Sequence, residues 1–312
     1  MSPAATARTH LIERAAELLG DPGAPQEWRP VLPDVPRAAD SAPEASAPEA
    51  PAKAEAAAPP PPIAVETLRA AGLVAPDRPE RSRVAEEIAV IQHQMLRTVQ
   101  DGPRAGTAQG RIVVVTSALP GEGKSFAALN LAAAAAGGAA GVVLVDVDGR
   151  EGGCSQALGT AGRPGLRQIA STPSLRPATL PLRTAIDRLS FLPYGTAPGG
   201  ADEGAEKGGR GDLPSGAAIA SAILRLAAAL PQHVIVLDTP PSLSTSEAST
   251  LASIAGQVIL VVDAERTQRN EVEAALDMLD ACPVLQLLLN RVRFSANDTF
   301  GAHGDYGAPN AG

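Results

Sequence analysis

Short runs of β-branched and aliphatic residues alternate along this chain with helix-permissive stretches, and the first run leads straight into a glycine-rich loop. The runs occupy residues 112–116, 142–147, 189–192, 234–237, 258–262 and 284–289. Helical patterns fill 83–99, 124–136, 246–255 and 268–281. Strands that are apolar at every position must be covered on both faces, and strands separated by helices pair in parallel through crossovers. The rhythm therefore predicts an α/β fold with a mainly parallel central sheet and helices on both faces.

The rest of the 312 residues reads differently. Residues 9–19 carry apolar side chains at helical spacing, so 1–20 is expected to hold a short amphipathic helix. Residues 21–62 are rich in Pro, Ala and Glu and end in four consecutive prolines, a composition that reads as a disordered linker. The folded domain is expected at 63–293, interrupted by a glycine-rich surface loop at 195–211, with a flexible glycine-rich tail at 294–312. A net charge of -8 and an aromatic content of 2% argue against a nucleic-acid binder, which needs a basic face or stacking platforms. Two cysteines, Cys154 and Cys282, give no disulfide framework and no zinc pattern. No run is apolar over the ~20 residues that span a bilayer, so the expectation is a cytoplasmic protein.

Three strand ends carry the chemistry. After the first strand comes Ala118-Leu119-Pro120-Gly121-Glu122-Gly123-Lys124-Ser125, then a helix. This is a P-loop in its required setting of strand, loop and helix, with Ala118 in place of the usual leading glycine. Its backbone N–H groups and helix N-terminus can cradle a polyphosphate, Lys124 can reach the β- and γ-phosphates, and Ser125 can ligate Mg²⁺. Lysine is otherwise scarce: only Lys53, Lys124 and Lys207 stand among 26 basic residues. The second strand ends in Asp146-Val147-Asp148-Gly149-Arg150, two carboxylates on one face of an extended backbone. One can hold Mg²⁺ through water while the other takes the proton of an attacking hydroxyl. The fourth strand ends in Val234-Ile235-Val236-Leu237-Asp238-Thr239-Pro240-Pro241, a Walker B pattern that puts Asp238 near the Mg²⁺.

PGEGKS, apolar–Asp-x-Asp-x-Arg and apolar–Asp-x-Pro-Pro together resemble the bacterial tyrosine kinases of polysaccharide export over residues 83–290. A narrower likeness, in LIERAAELLG, SRVAEEIAVI, VTSALPGEGKSFAALNLA and SEASTLASIAGQVILVVDAERTQ, is to the tyrosine autokinases of exopolysaccharide/PEP-CTERM (exosortase) loci. The resemblance implies a P-loop NTPase fold and an ATP- and Mg²⁺-dependent protein-tyrosine autokinase. It implies nucleotide contacts from Pro120, Gly121, Glu122, Gly123, Lys124, Ser125 and Phe126, and an adenine contact from Asn290. It makes Lys124, Asp146 and Asp148 catalytic, and Ser125, Asp146 and Asp238 the metal-linked set. It also implies a separate membrane partner, a chain-length-determinant (polysaccharide co-polymerase) protein that would hold this chain at the inner membrane.

Three departures shape these expectations. The E-x-x-R-x-x-R pattern of ring assembly is represented by Glu86 followed by Ala89 and Gln92, so self-association is expected to be weak without the partner. The stretch after the third strand is the glycine-rich loop where relatives are compact. The C-terminal tyrosine cluster is reduced to Tyr306, the expected phospho-acceptor; the one other tyrosine, Tyr194, follows an apolar strand and is expected to be packed. Two other functions fit the motifs. One is an ATP-binding switch of the export machinery that transfers no phosphate. The other is a positioning or partition ATPase, disfavoured because Leu119 stands where that class carries an extra P-loop lysine.

Overall fold

The computed structural model describes residues 60–74, 82–138, 140–150, 152–196 and 214–293. The N-terminal helix expected in 1–20, nearly all of the linker, most of the 195–211 loop, and the 294–312 tail with Tyr306 lie outside the described residues.

The elements in chain order are α1 (Val65–Ala70), α2 (Arg83–Asp101), β1 (Ile112–Ser117), α3 (Lys124–Ala136), β2 (Gly141–Asp146), α4 (Cys154–Ala157), α5 (Leu166–Ser171), β3 (Leu182–Arg183), β4 (Leu189–Leu192), α6 (Gly216–Ala229), β5 (His233–Asp238), α7 (Glu247–Ile254), β6 (Gln257–Asp263), α8 (Arg269–Met278) and β7 (Leu285–Asn290). All six sequence-predicted strands form, within a residue or two of their expected ends. They make one seven-stranded sheet in the order β3-β4-β2-β5-β1-β6-β7. Every pairing is parallel except β3 with β4, a two-residue antiparallel edge too short to show in the sequence pattern.

The central strands are apolar because each face is covered, whereas edge strand β7 leaves Leu287 and Leu289 exposed. On one face Ile112, Val114, Ile235, Leu237, Val258 and Leu260 pack under α5, α6, α7 and α8; on the other Val113, Val115, Leu144, Val236 and Ile259 pack under α1, α2 and α3. Helix α6 was not anticipated. Its alanine-rich sequence follows directly on the glycine-rich stretch, but Ser215 caps it by accepting from the Ala218 N–H, and Ile219, Ile223 and Leu226 supply a buried stripe. Arg111 fastens its far end, donating to the carbonyls of Ala227 at 2.9 Å and of Leu230 and His233 at 2.8 Å each. Asn130 of α3 pins the segment after α1: its side-chain oxygen accepts from the Val74 N–H at 2.8 Å and its amide donates to the Gly72 carbonyl at 3.0 Å.

Register, more than any loop, assembles the site. β5 lies between β1 and β2, with Asp238 opposite Val115 on one side and opposite Asp146 on the other. The carboxyl ends of these three strands therefore meet at one edge of the sheet, where α/β folds of this kind bind ligands. Leu226 is fully buried in the core that supports β5. Leu226→Ala is expected to lower the unfolding free energy by about 2–5 kcal/mol, read as a shift of the denaturation midpoint at constant slope.

Candidate nucleotide site

The P-loop runs from Ala118 to Ser125 between β1 and the first turn of α3. Gly123 has φ +96°, a left-handed backbone conformation that favours glycine, and it faces the side-chain amide of Asn290. Lys124 and Ser125 begin the helix, which turns unpaired N–H groups and the positive end of the helix dipole toward the loop.

Lys124 lies between two carboxylates. Its Nζ is 2.7 Å from Asp148 Oδ2 and 3.9 Å from Asp238 Oδ1, and 3.4 Å from the Ser125 hydroxyl. Burial disfavours the ammonium, but Asp238 and Asp148 outweigh burial and raise its pKa above the ordinary lysine value. Asp148 is held from its other side by Arg150 at 2.7 Å.

Asp238 is fully buried, and neither of its side-chain oxygens has a hydrogen-bond partner. Its pKa is raised to about 6, first by desolvation and then by Asp146, against the pull of Lys124. The Ser125 hydroxyl and Cys154 thiol lie close enough to favour the charged form without making a hydrogen bond to it. An orphaned buried carboxylate beside a serine hydroxyl is a hard-oxygen donor pair that fits Mg²⁺.

Asp146 behaves differently from its neighbour. One of its oxygens accepts from the N–H groups of Asp148 at 3.0 Å and Gly149 at 3.1 Å, and the other from the Ser155 N–H at 2.7 Å. It therefore shapes the turn that presents Asp148 to Lys124, a role that spacing alone did not reveal. Asn290 ends β7, and its amide donates to the Glu122 carbonyl at 2.8 Å, so it grips the P-loop. Phe126 lines a cleft with Arg83, Val90, Leu289 and Asn290 between α2 and the end of β7. Tyr194 is half-buried: its ring lies against Gly149, Arg167 stands over it at 5.9 Å, and its N–H donates to the Ser155 hydroxyl at 3.0 Å.

This sheet, loop and pair of carboxylate-bearing strand ends define a P-loop nucleotide-binding fold. No protein-family model matches the chain. In sequence it is similar to bacterial tyrosine-protein kinases. It is 30% identical over 175 residues to EpsB of Ralstonia solanacearum, an alignment covering 55% of this chain and 21% of that protein. It is 26% identical to the tyrosine-protein kinase YwqD of Bacillus subtilis, covering 63% of this chain and 78% of the relative. The chain thus spans about a fifth of the length of relatives such as EpsB and most of the shorter YwqD. Among solved structures, the kinase domain of the Escherichia coli tyrosine kinase ETK superposes with a TM-score of 0.56 at 18% identity, covering 74% of this chain and 84% of that domain. The motifs PGEGKS and Asp-x-Asp-x-Arg thus point to the same group of proteins as the alignments.

Asp238 supplies a pH test. Its folded-state pKa of about 6 lies above the ordinary carboxyl value of 3.8, so the native state binds its proton more tightly than the unfolded chain. Stability without metal should fall as pH rises through this interval. Asp238→Asn, melted in metal-free buffer, is expected to gain up to about 3 kcal/mol above pH ~7, with the gain fading below pH ~6 and gone by pH ~4.

Proposed function

We propose that this chain is an ATP- and Mg²⁺-dependent protein-tyrosine autokinase acting in exopolysaccharide production. The observation that carries the reading is the placement of Lys124 between Asp148 and Asp238 where β1, β5 and β2 end together. Two acids and one mobile cation at a P-loop are the parts needed to bind a nucleoside triphosphate and to move a phosphoryl group. The relatives named tyrosine-protein kinase support the choice of acceptor.

The residues divide the work as follows. The N–H groups from Gly121 to Ser125 wrap the phosphates, and Lys124 moves from Asp148 onto their oxygens. Ser125 and Asp238 would hold Mg²⁺, which would supply positive charge to offset that developing on the phosphates. Asp148, freed from Lys124, accepts the proton of a tyrosine hydroxyl as that oxygen bonds to the γ-phosphorus. The bond from the γ-phosphorus to the bridging oxygen breaks, and ADP leaves. Asp146 fixes the turn that carries Asp148. Asn290, whose amide donates to the Glu122 carbonyl, is the proposed adenine contact.

Tyr306 is the proposed acceptor, since the other tyrosine, Tyr194, is packed against Gly149. The proposed partner is a membrane chain-length-determinant (polysaccharide co-polymerase) protein that would bring the chain to the inner membrane. Among the described residues no helix is long and apolar enough to cross a membrane. A second reading, an ATP-binding switch that transfers no phosphate, is favoured by one observation: the whole chain holds only two tyrosines.

Incubation with labelled ATP and Mg²⁺, followed by phospho-amino-acid analysis and peptide mapping, separates the two. The kinase reading expects phosphotyrosine that disappears in Tyr306→Phe. The switch reading expects released phosphate and an unlabelled chain. Lys124→Ala should lose ATP binding by calorimetry. Asp148→Asn should keep binding within a few-fold but lower phosphotransfer by about 10²-fold or more, because an amide cannot take the proton.

A further inference from the structure

Glu122 places a carboxylate inside the loop that is to receive phosphates, where its charge opposes the ligand. It is nonetheless buried, with 2% of its surface exposed. Its contacts explain why it is there. One carboxylate oxygen accepts from the Leu119 N–H at 2.7 Å, three residues back along the same loop. The other accepts from the hydroxyl of Thr267 and, at a longer 3.4 Å, from the N–H of Asp263. Asp263 ends β6 and Thr267 lies in the turn between β6 and α8, both remote from the P-loop in sequence. The Glu122 main-chain carbonyl is gripped in turn by Asn290 of β7 at 2.8 Å. The β6 and β7 ends are themselves locked together, since Arg291 donates to the Asp263 carboxylate at 2.7 Å.

We propose that Glu122 is a positioning residue: its carboxylate latches the P-loop, before nucleotide arrives, to the turn that follows β6. The inference deepens the nucleotide-site reading and rests on it for its functional consequence. A phosphate-binding loop works by having its N–H groups already aimed at the ligand, and a loop that must be ordered on binding loses affinity by the entropy of ordering. By accepting from Leu119 and Thr267 together, Glu122 closes the loop from inside and couples its shape to β6 and β7. Both its carboxylate oxygens are engaged in these bonds, so it acts on the geometry of the loop.

The test uses the full chain and two readouts. The first, made without nucleotide, is residue-resolved amide hydrogen exchange over 119–125. The second is the calorimetric dissociation constant for ATP with Mg²⁺. Glu122→Ala removes a charge-assisted acceptor and is expected to speed exchange of the Leu119 and P-loop amides about 10- to 100-fold and to weaken ATP binding by a similar factor. Glu122→Gln is expected to keep both within about threefold, because its amide oxygen still accepts from Leu119 and its amide nitrogen donates to the Thr267 oxygen. Thr267→Val is expected to speed exchange in the P-loop, 145 residues away in sequence, by a smaller factor.

P-loop amides as protected in Glu122→Ala as in the unaltered chain would overturn the latch. So would Glu122→Gln as damaging as Glu122→Ala, or a P-loop indifferent to Thr267→Val. If Glu122→Ala fails to fold, the Gln and Val variants decide the matter by the same criteria. An unaltered chain that shows the protection pattern and its response to Thr267→Val, yet binds no ATP, would refute the nucleotide reading and leave the latch supported.

Discussion

One partly buried lysine holds the carboxyl end of this sheet together. Lys124 is paired at 2.7 Å with Asp148 and stands 3.9 Å from Asp238, so a single cation offsets two carboxylates that the parallel register brings close. Without it the buried Asp238 would keep no cation beside it. Even with it, Asp238 is pushed up to about 6 by desolvation. The charge balance fits an exchange: Mg²⁺ would take over Asp238 and the phosphates would take Lys124, releasing Asp148 toward the acceptor. The resting ion pair and the active arrangement are then two settings of the same three groups.

Much of this was legible in the sequence, for physical reasons. Strands buried on both faces must be apolar at every position, so β1, β2, β4, β5 and β6 announced themselves; the leucine run of edge strand β7 did so although Leu287 and Leu289 stay exposed, and the loop of Gly121, Gly123 and Lys124 named its own place after β1. The edge strand β3 spans two residues and leaves no periodicity to read. Helix α6 was missed because its alanines carry little amphipathic contrast beside a glycine-rich stretch. Its Ser215 cap and the Ile219–Ile223–Leu226 spacing were the signals available.

Within the site, the sequence identified which residues gather but gave less guidance on how they divide. Asp146 and Asp148 look equivalent two residues apart, yet Asp146 spends both oxygens on backbone N–H groups while Asp148 faces the lysine. Asn290, read from the sequence as an adenine contact, also donates its amide to the Glu122 carbonyl. Glu122 was expected only as one residue of the P-loop. Its partners Thr267 and Asp263 are remote in the chain, and no local pattern encodes such a contact.

The most direct measurement is a crystal structure of the chain with Mg²⁺ and a non-hydrolysable ATP analogue. The account predicts phosphates seated on the N–H groups of 121–125, Mg²⁺ bound through Ser125 and Asp238, and Lys124 Nζ moved off Asp148 onto the phosphate oxygens. A nucleotide bound elsewhere, or one bound at the P-loop with the Lys124–Asp148 pair still closed, would contradict it.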